Sequence, residues 1–209
     1  MFDKLAFIID TLNELFPDPE IPLRHEDHFT LLIAVLLSAR CTDARVNTIT
    51  PVLFARAKTP EQMLTLGQEE IRSIIRPCGL SQSKSQAIIG LSEQLLRLHG
   101  GQVPSDLQAL EALPGVGNKT ARVVLSQAFG IPSFPVDTHI ARMMKRWKIA
   151  RSGQVEQIQK AAMQFFPREL WNLLHLQIIY YARTYSPARA YDLEKDVITR
   201  TILAHEGER

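Results

Sequence analysis

A chain of 209 residues with 45% apolar and 22% charged residues has an ordinary globular composition, enough for one domain or two small ones. Its longest apolar run, Leu31 to Leu37, is too short to span a bilayer, and the acid-bearing start from Met1 to Phe16 lacks signal-peptide character; no membrane partner and a soluble, cytoplasmic protein are expected. The net charge of +2 hides an uneven distribution: seven acids face only Lys4 and Arg24 over residues 1 to 38, whereas Lys119, Arg122, Arg142, Lys145, Arg146, Lys148 and Arg151 face Asp137 alone over residues 117 to 152.

Nearly every segment reads as helix. Phe7, Ile8, Ile9, Leu12 and Leu15/Phe16 form an apolar stripe that Pro17 and Pro19 end, and Phe29 to Ala39 is apolar enough for a buried central helix. Asp43 is the expected N-cap of the next helix, with Val46, Ile49, Val52, Leu53 and Phe54 on its apolar side. Further helices are predicted over Pro60 to Leu66, Gln68 to Ile75, Ser81 to Leu98, Leu107 to Leu113 and about Gly117 to Phe129, the last stopped by Gly130 and Pro132. After an extended Ile131 to Val136, Asp137 has the N-cap position for a helix through Met144; others come near Val155 to Phe166, Arg168 to Thr184 and Leu193 to Ala204. Strand signals are absent, so the expected fold class is all-α. Cys41 and Cys78 form no CxxC pair and the six histidines show no metal spacing, so free thiols are expected.

The most informative stretch is Leu113-Pro114-Gly115-Val116-Gly117-Asn118-Lys119-Thr120-Ala121, with Val136-Asp137-Thr138-His139 downstream of it. Two glycines around one apolar residue permit a tight turn between helices, and the exposed amides that open the second helix can grip an anion. That is the pattern of a helix-hairpin-helix, and cations gathered beside it form an electrostatic footprint for nucleic acid. A lysine on its own is ordinarily solvated surface. Lys119, however, falls in the first turn of a helix, where the macrodipole disfavours an ammonium and helps to free a nucleophilic amine. Such an amine can attack a sugar carbon and form a Schiff base. Asp137 reads both as a plain cap and as a fixed carboxylate able to take a proton from the lysine and stabilise positive charge as a base departs.

These motifs, together with Leu31 to Ala39 before Thr42-Asp43 and Gly79-Leu80 before Ser83-Lys84, closely resemble the endonuclease III family of DNA glycosylase/lyases. The resemblance implies a two-lobed helical glycosylase with DNA in a cleft between the lobes. One lobe spans residues 22 to 131 and carries the hairpin; the other joins 1 to 21 with 132 to 209. It implies a base-excision repair enzyme, a monomer working on chromosomal DNA, that flips oxidised pyrimidines from duplexes and cuts abasic sites by β-elimination. Lys119 then is the Schiff-base nucleophile and Asp137 the catalytic carboxylate, facing the cleft from opposite sides. Candidate DNA contacts are Gly115, Val116, Gly117, Asn118, Thr120, His139 and Arg142, with Arg40 and Leu80 at the gap left by the flipped nucleotide.

Two departures from the family stand out. Its [4Fe-4S] cluster sits on four C-terminal cysteines, but here Ser186 holds the first ligand position and there is no later cysteine. No cofactor is therefore expected, and the C-terminal helices should close by apolar packing. Arg40 replaces the family's usual glutamine, and could pair with an orphan base or simply contact phosphate. Two rival functions remain open on the sequence: a related glycosylase for alkylated or mismatched bases, and a non-catalytic hairpin module for DNA.

Overall fold

The computed structural model describes residues 2–151 and 153–207. Twelve α-helices and two 3₁₀ turns carry these residues, with no strand among them. None of the helices is long and apolar enough to cross a membrane. The chain divides into two compact units, residues 21–131 (the hairpin unit) and a discontinuous unit of Met1–Glu20 with Pro132–Arg209.

The hairpin unit is built around α2 (His28–Leu37), whose side chains from Phe29 to Leu37 are all buried. A helix apolar all round needs partners on every side. They are α3 (Asp43–Arg56), α6 (Ser81–His99) and α8 (Asn118–Phe129), with α4 (Pro60–Leu66), α5 (Gln68–Ile75) and α7 (Leu107–Glu111) around them. Asp27 starts α2 with a capping box: its carboxylate accepts from the Thr30 amide at 2.8 Å while the Thr30 hydroxyl accepts from the Asp27 amide at 2.9 Å. At α3 the expected cap shifts by one residue. Thr42, not Asp43, is the N-cap and its hydroxyl accepts from the Arg45 amide, leaving Asp43 inside the first turn where its charge complements the helix dipole.

In the discontinuous unit, α1 (Lys4–Leu15) buries Ile8 and Leu12, and Gln177 of α11 (Trp171–Thr184) ties its end by donating to Asn13 Oδ1 and the Phe16 carbonyl, each at 2.9 Å. The core also includes Phe134, Met143, Trp147, Leu174, Tyr181 and Ile198 from α9 (Thr138–Arg146) and its C-cap, α11, α12 (Val197–Gly207) and the segment before α9, with α10 (Val155–Phe165) packed on α9. Two expected boundaries move here. Arg168–Leu170 forms a 3₁₀ turn ahead of α11, and the last helix begins at Val197 rather than Leu193.

The cause of the second shift is Asp196. Fully buried, it accepts from the Thr199 amide at 3.0 Å, the Thr199 hydroxyl at 2.8 Å, the Tyr181 hydroxyl at 2.8 Å and the Ser186 hydroxyl. A carboxylate this well supplied with donors sets the helix start. These helices do close by apolar packing, with Ile178, Ile198 and Ile202 in one buried cluster, and a buried polar knot also joins the end of α11 to the beginning of α12.

Candidate nucleic-acid interface

The hairpin turn closes with the Val116 amide donating to the Leu113 carbonyl at 3.1 Å, Pro114 and Gly115 between them. Gly115 has φ +75°, the left-handed value that the third position of such a turn demands after proline. A Cβ there would lie 2.5 Å from the Ala87 Cβ, so conformation and space both require glycine. Gly117 is different. Its φ of −89° suits any residue, and a Cβ would meet nothing within 4 Å.

Gly117 is the N-cap of α8, and no side chain caps that end. The first-turn amides therefore point outward from an exposed turn, a ready anion site. Lys119 is exposed in this turn, and Thr120 is half-buried beside it. Asn118 is engaged within the protein: it donates to Glu111 of α7 and accepts from Arg122 Nε at 2.9 Å, linking the hairpin helices. Val116 is buried and packs the turn onto its unit. Arg40 and Leu80 are exposed, and both are non-glycine residues at positive φ, +55° and +52°. A hollow of about 620 Å³ in the same unit, reaching from His25 to Ala128, is lined by none of the predicted site residues.

In the discontinuous unit, Asp137 caps α9, its Oδ1 accepting from the Ile140 amide at 2.8 Å. The extended run Ser133 to Val136 that delivers it is buried. Arg142, one turn on, is turned inward: Nε donates to the Ser186 carbonyl at 3.0 Å and Nη2 to the Ala182 carbonyl at 3.2 Å, with His139 Nδ1 at 3.1 Å. Arg146 donates to the Ser186 carbonyl and hydroxyl, and its guanidinium lies 3.5 Å above the centre of the Tyr191 ring. Burial pushes the Tyr181 phenol up, far above the ordinary tyrosine value, so it remains the protonated donor that Asp196 needs.

The iron-sulfur cluster implied by the resemblance does not fit this chain. Ser186, at the first ligand position, is buried with its hydroxyl committed to Asp196 and Arg146. The chain's two cysteines, Cys41 and Cys78, both belong to the hairpin unit, so four thiolates cannot be assembled. Among the described residues no three His, Cys, Asp or Glu side chains gather as a metal site.

Lys84 and Asp196 are functional candidates that the sequence did not single out, although each carried a signal. Lys84 falls in register with Ile88, Leu91 and Leu95 on the buried stripe of α6, an anomalous place for a lysine, and Asp-Val-Ile-Thr at 196–199 has capping spacing.

Residues 33–168 match the model of the HhH-GPD superfamily base excision DNA repair proteins. The chain is 40% identical to endonuclease III of Bacillus subtilis over 188 residues, covering 90% of this chain and 86% of that one. To endonuclease III of Escherichia coli K12 it is 45% identical over 178 residues, covering 82% and 84%. A solved endonuclease III trapped as a covalent intermediate with DNA superposes with a TM-score of 0.87 at 38% identity, covering 93% of this chain and 92% of that one.

Proposed function

Because this chain belongs to the endonuclease III family, within the HhH-GPD superfamily of base excision DNA repair proteins, we propose that it removes oxidised pyrimidines from double-stranded DNA and then cleaves the resulting abasic site. The observation that carries this reading is the open amide end of α8 with Lys119 exposed in its first turn. Phosphate binding there needs only the amides, which leaves the Lys119 amine for the chemistry that the family resemblance assigns it.

In the reaction we assign, Asp137 accepts a proton from the Lys119 ammonium, and the neutral amine attacks C1′ of the damaged nucleotide. The glycosidic bond breaks, the base leaves with its electron pair and takes a proton, and ring opening gives a Schiff base. Loss of a C2′ proton then expels the 3′ phosphate by β-elimination, and water releases the lysine. The proton the departing base takes is the one Asp137 received, and the carboxylate so restored, fixed by its capping bond, offsets the positive charge of the Schiff base. Gly117, without a Cβ, lets the DNA backbone close on the amides of the hairpin. Arg40 and Leu80 fill the gap left by the flipped nucleotide, Leu80 as an apolar wedge and Arg40 toward the orphan base. Arg142 holds the segment around Ser186 and is proposed, with His139 beside it, as a DNA contact on the family resemblance. We read the protein as a monomer acting on chromosomal DNA in the cytoplasm.

Borohydride trapping tests this assignment. Wild-type protein should become covalently linked to a duplex with an abasic site, and Lys119→Ala should lose linkage while retaining DNA binding. Asp137→Asn keeps shape without charge and should slow base removal by roughly 10²-fold or more. Undiminished trapping by Lys119→Ala would remove the lysine from the mechanism.

A further inference from the structure

Lys84 is only 5% exposed, and none of the described residues offers it a carboxylate. Its side-chain nitrogen donates instead to two carbonyls, Leu37 at 2.8 Å and Cys78 at 3.0 Å. Burying an amine is costly where a methionine of similar length would fill the space. The two acceptors give the reason for it. Leu37 is the last residue of α2, where carbonyls lack intrahelical donors and the helix dipole is negative. Cys78 is the last residue of the 3₁₀ turn Arg76–Cys78. One side chain therefore ties off two C-terminal ends. Burial pushes its pKa down, yet even the neutral amine retains the two N–H donors that these carbonyls require.

The residues just beyond each end matter more. Leu37 leads within three residues to Arg40 and Cys78 within two to Leu80, the two left-handed non-glycine residues of this unit. A strained backbone conformation persists only where its surroundings over-determine it. The backbone at position 84 meets Leu80 as well, in the first helical bond of α6, amide to Leu80 carbonyl at 2.9 Å. Both segments thus converge on one residue that is itself out of reach of DNA.

We propose that Lys84 is a positioning residue for base extrusion: it locks the segments bearing Arg40 and Leu80 into one rigid pair, so that both enter the duplex gap together. This rests on the gap-filling reading of those two residues. A cycle of variants separates the two ideas, read as single-turnover base removal from a duplex. Lys84→Met and the Arg40→Ala/Leu80→Ala pair should each lose about tenfold or more, and combining all three should cost less than about twofold beyond the pair. Losses that multiply in full overturn the proposal. An unaltered rate in the Arg40→Ala/Leu80→Ala protein overturns the gap reading, and the proposal with it.

Trapping on a single-stranded abasic oligonucleotide, with no partner strand to hold open, should stay within about twofold in Lys84→Met. An equal loss there marks a general folding role and refutes the proposal. Lys84→Gln, which retains an amide donor, should show the same selective loss at smaller size; a uniform loss on both substrates again refutes it.

Discussion

Among the described residues, each unit of this protein buries one lysine, arginine or carboxylate side chain, and the two are of opposite sign. The hairpin unit buries Lys84; the discontinuous unit buries Asp196. Lys84 is answered by two backbone carbonyls and no countercharge. Asp196 is answered by three hydroxyls and an amide, with Arg146 reaching it through Ser186. Carbonyls belong to the backbone and persist when the lysine changes, so the cation is an addition to an apolar core complete in other respects. The anion is the reverse: three side chains and a helix start are organised around it. Removing it strands all of them.

Asp196→Ala should therefore have the largest effect of any single truncation in the knot. Breaking a buried charged network costs about 3–5 kcal/mol, which for a chain this size lowers the melting temperature by roughly 6–20 °C. A melt shifted by only a degree or two would mean the knot is ornamental and the helices close by apolar packing alone.

Lys84→Met should cost much less stability, within about 2 kcal/mol, because the lost bonds are offset by no longer burying a cation. Urea unfolding of the two variants under the same conditions measures the contrast directly. Equal losses would erase the asymmetry between the units.

The smallest effect concerns what surrounds Lys84. Burial, with Cys41 close by, pushes the Cys78 thiol up to about 11 from 9.0. The native thiol thus holds its proton after the unfolded one has lost it, a contribution fully present below pH 9 and lost as pH rises through 11. Lys84, whose pKa burial lowers, works the other way, its cost easing as pH rises toward the ordinary lysine value. Comparing urea midpoints of wild type and Cys78→Ala across this range isolates the thiol, and the wild type should lose stability relative to the variant as pH rises from 9 to 11. A difference independent of pH would contradict the raised thiol.

Much of the fold was legible because proline and glycine punctuate it. Pro60, Gly67, Gly100 and Gly130 bound helices where their backbone chemistry says they should, and α4 and α5 fall on the expected residues. Thr42 and Asp43 are both good caps, so local sequence alone could not choose between them. The start of α12 was illegible for a deeper reason. Leu193, Glu194 and Lys195 are good helix formers, and only the pairing of Asp196 with Tyr181 and Ser186, distant in sequence, decides that the helix waits until Val197. In the candidate site, the open turn before Lys119 and the cap at Asp137 were readable from short-range pattern. The inward commitment of Arg142 was not, because its acceptors are carbonyls of residues forty or more positions away.

The division of the chain also sets an order in time. Residues 21–131 are contiguous, so the hairpin unit has all its own partners once Ile131 is made. Helix α1 precedes the hairpin unit in the chain, but Ile8 and Leu12 belong to a core completed by α11 and α12, and the Phe2 ring stacks 4.3 Å from that of His205. At the usual pace of synthesis α1 waits roughly 10–40 s for those helices. A helix made before the hairpin unit thus finds its place after it.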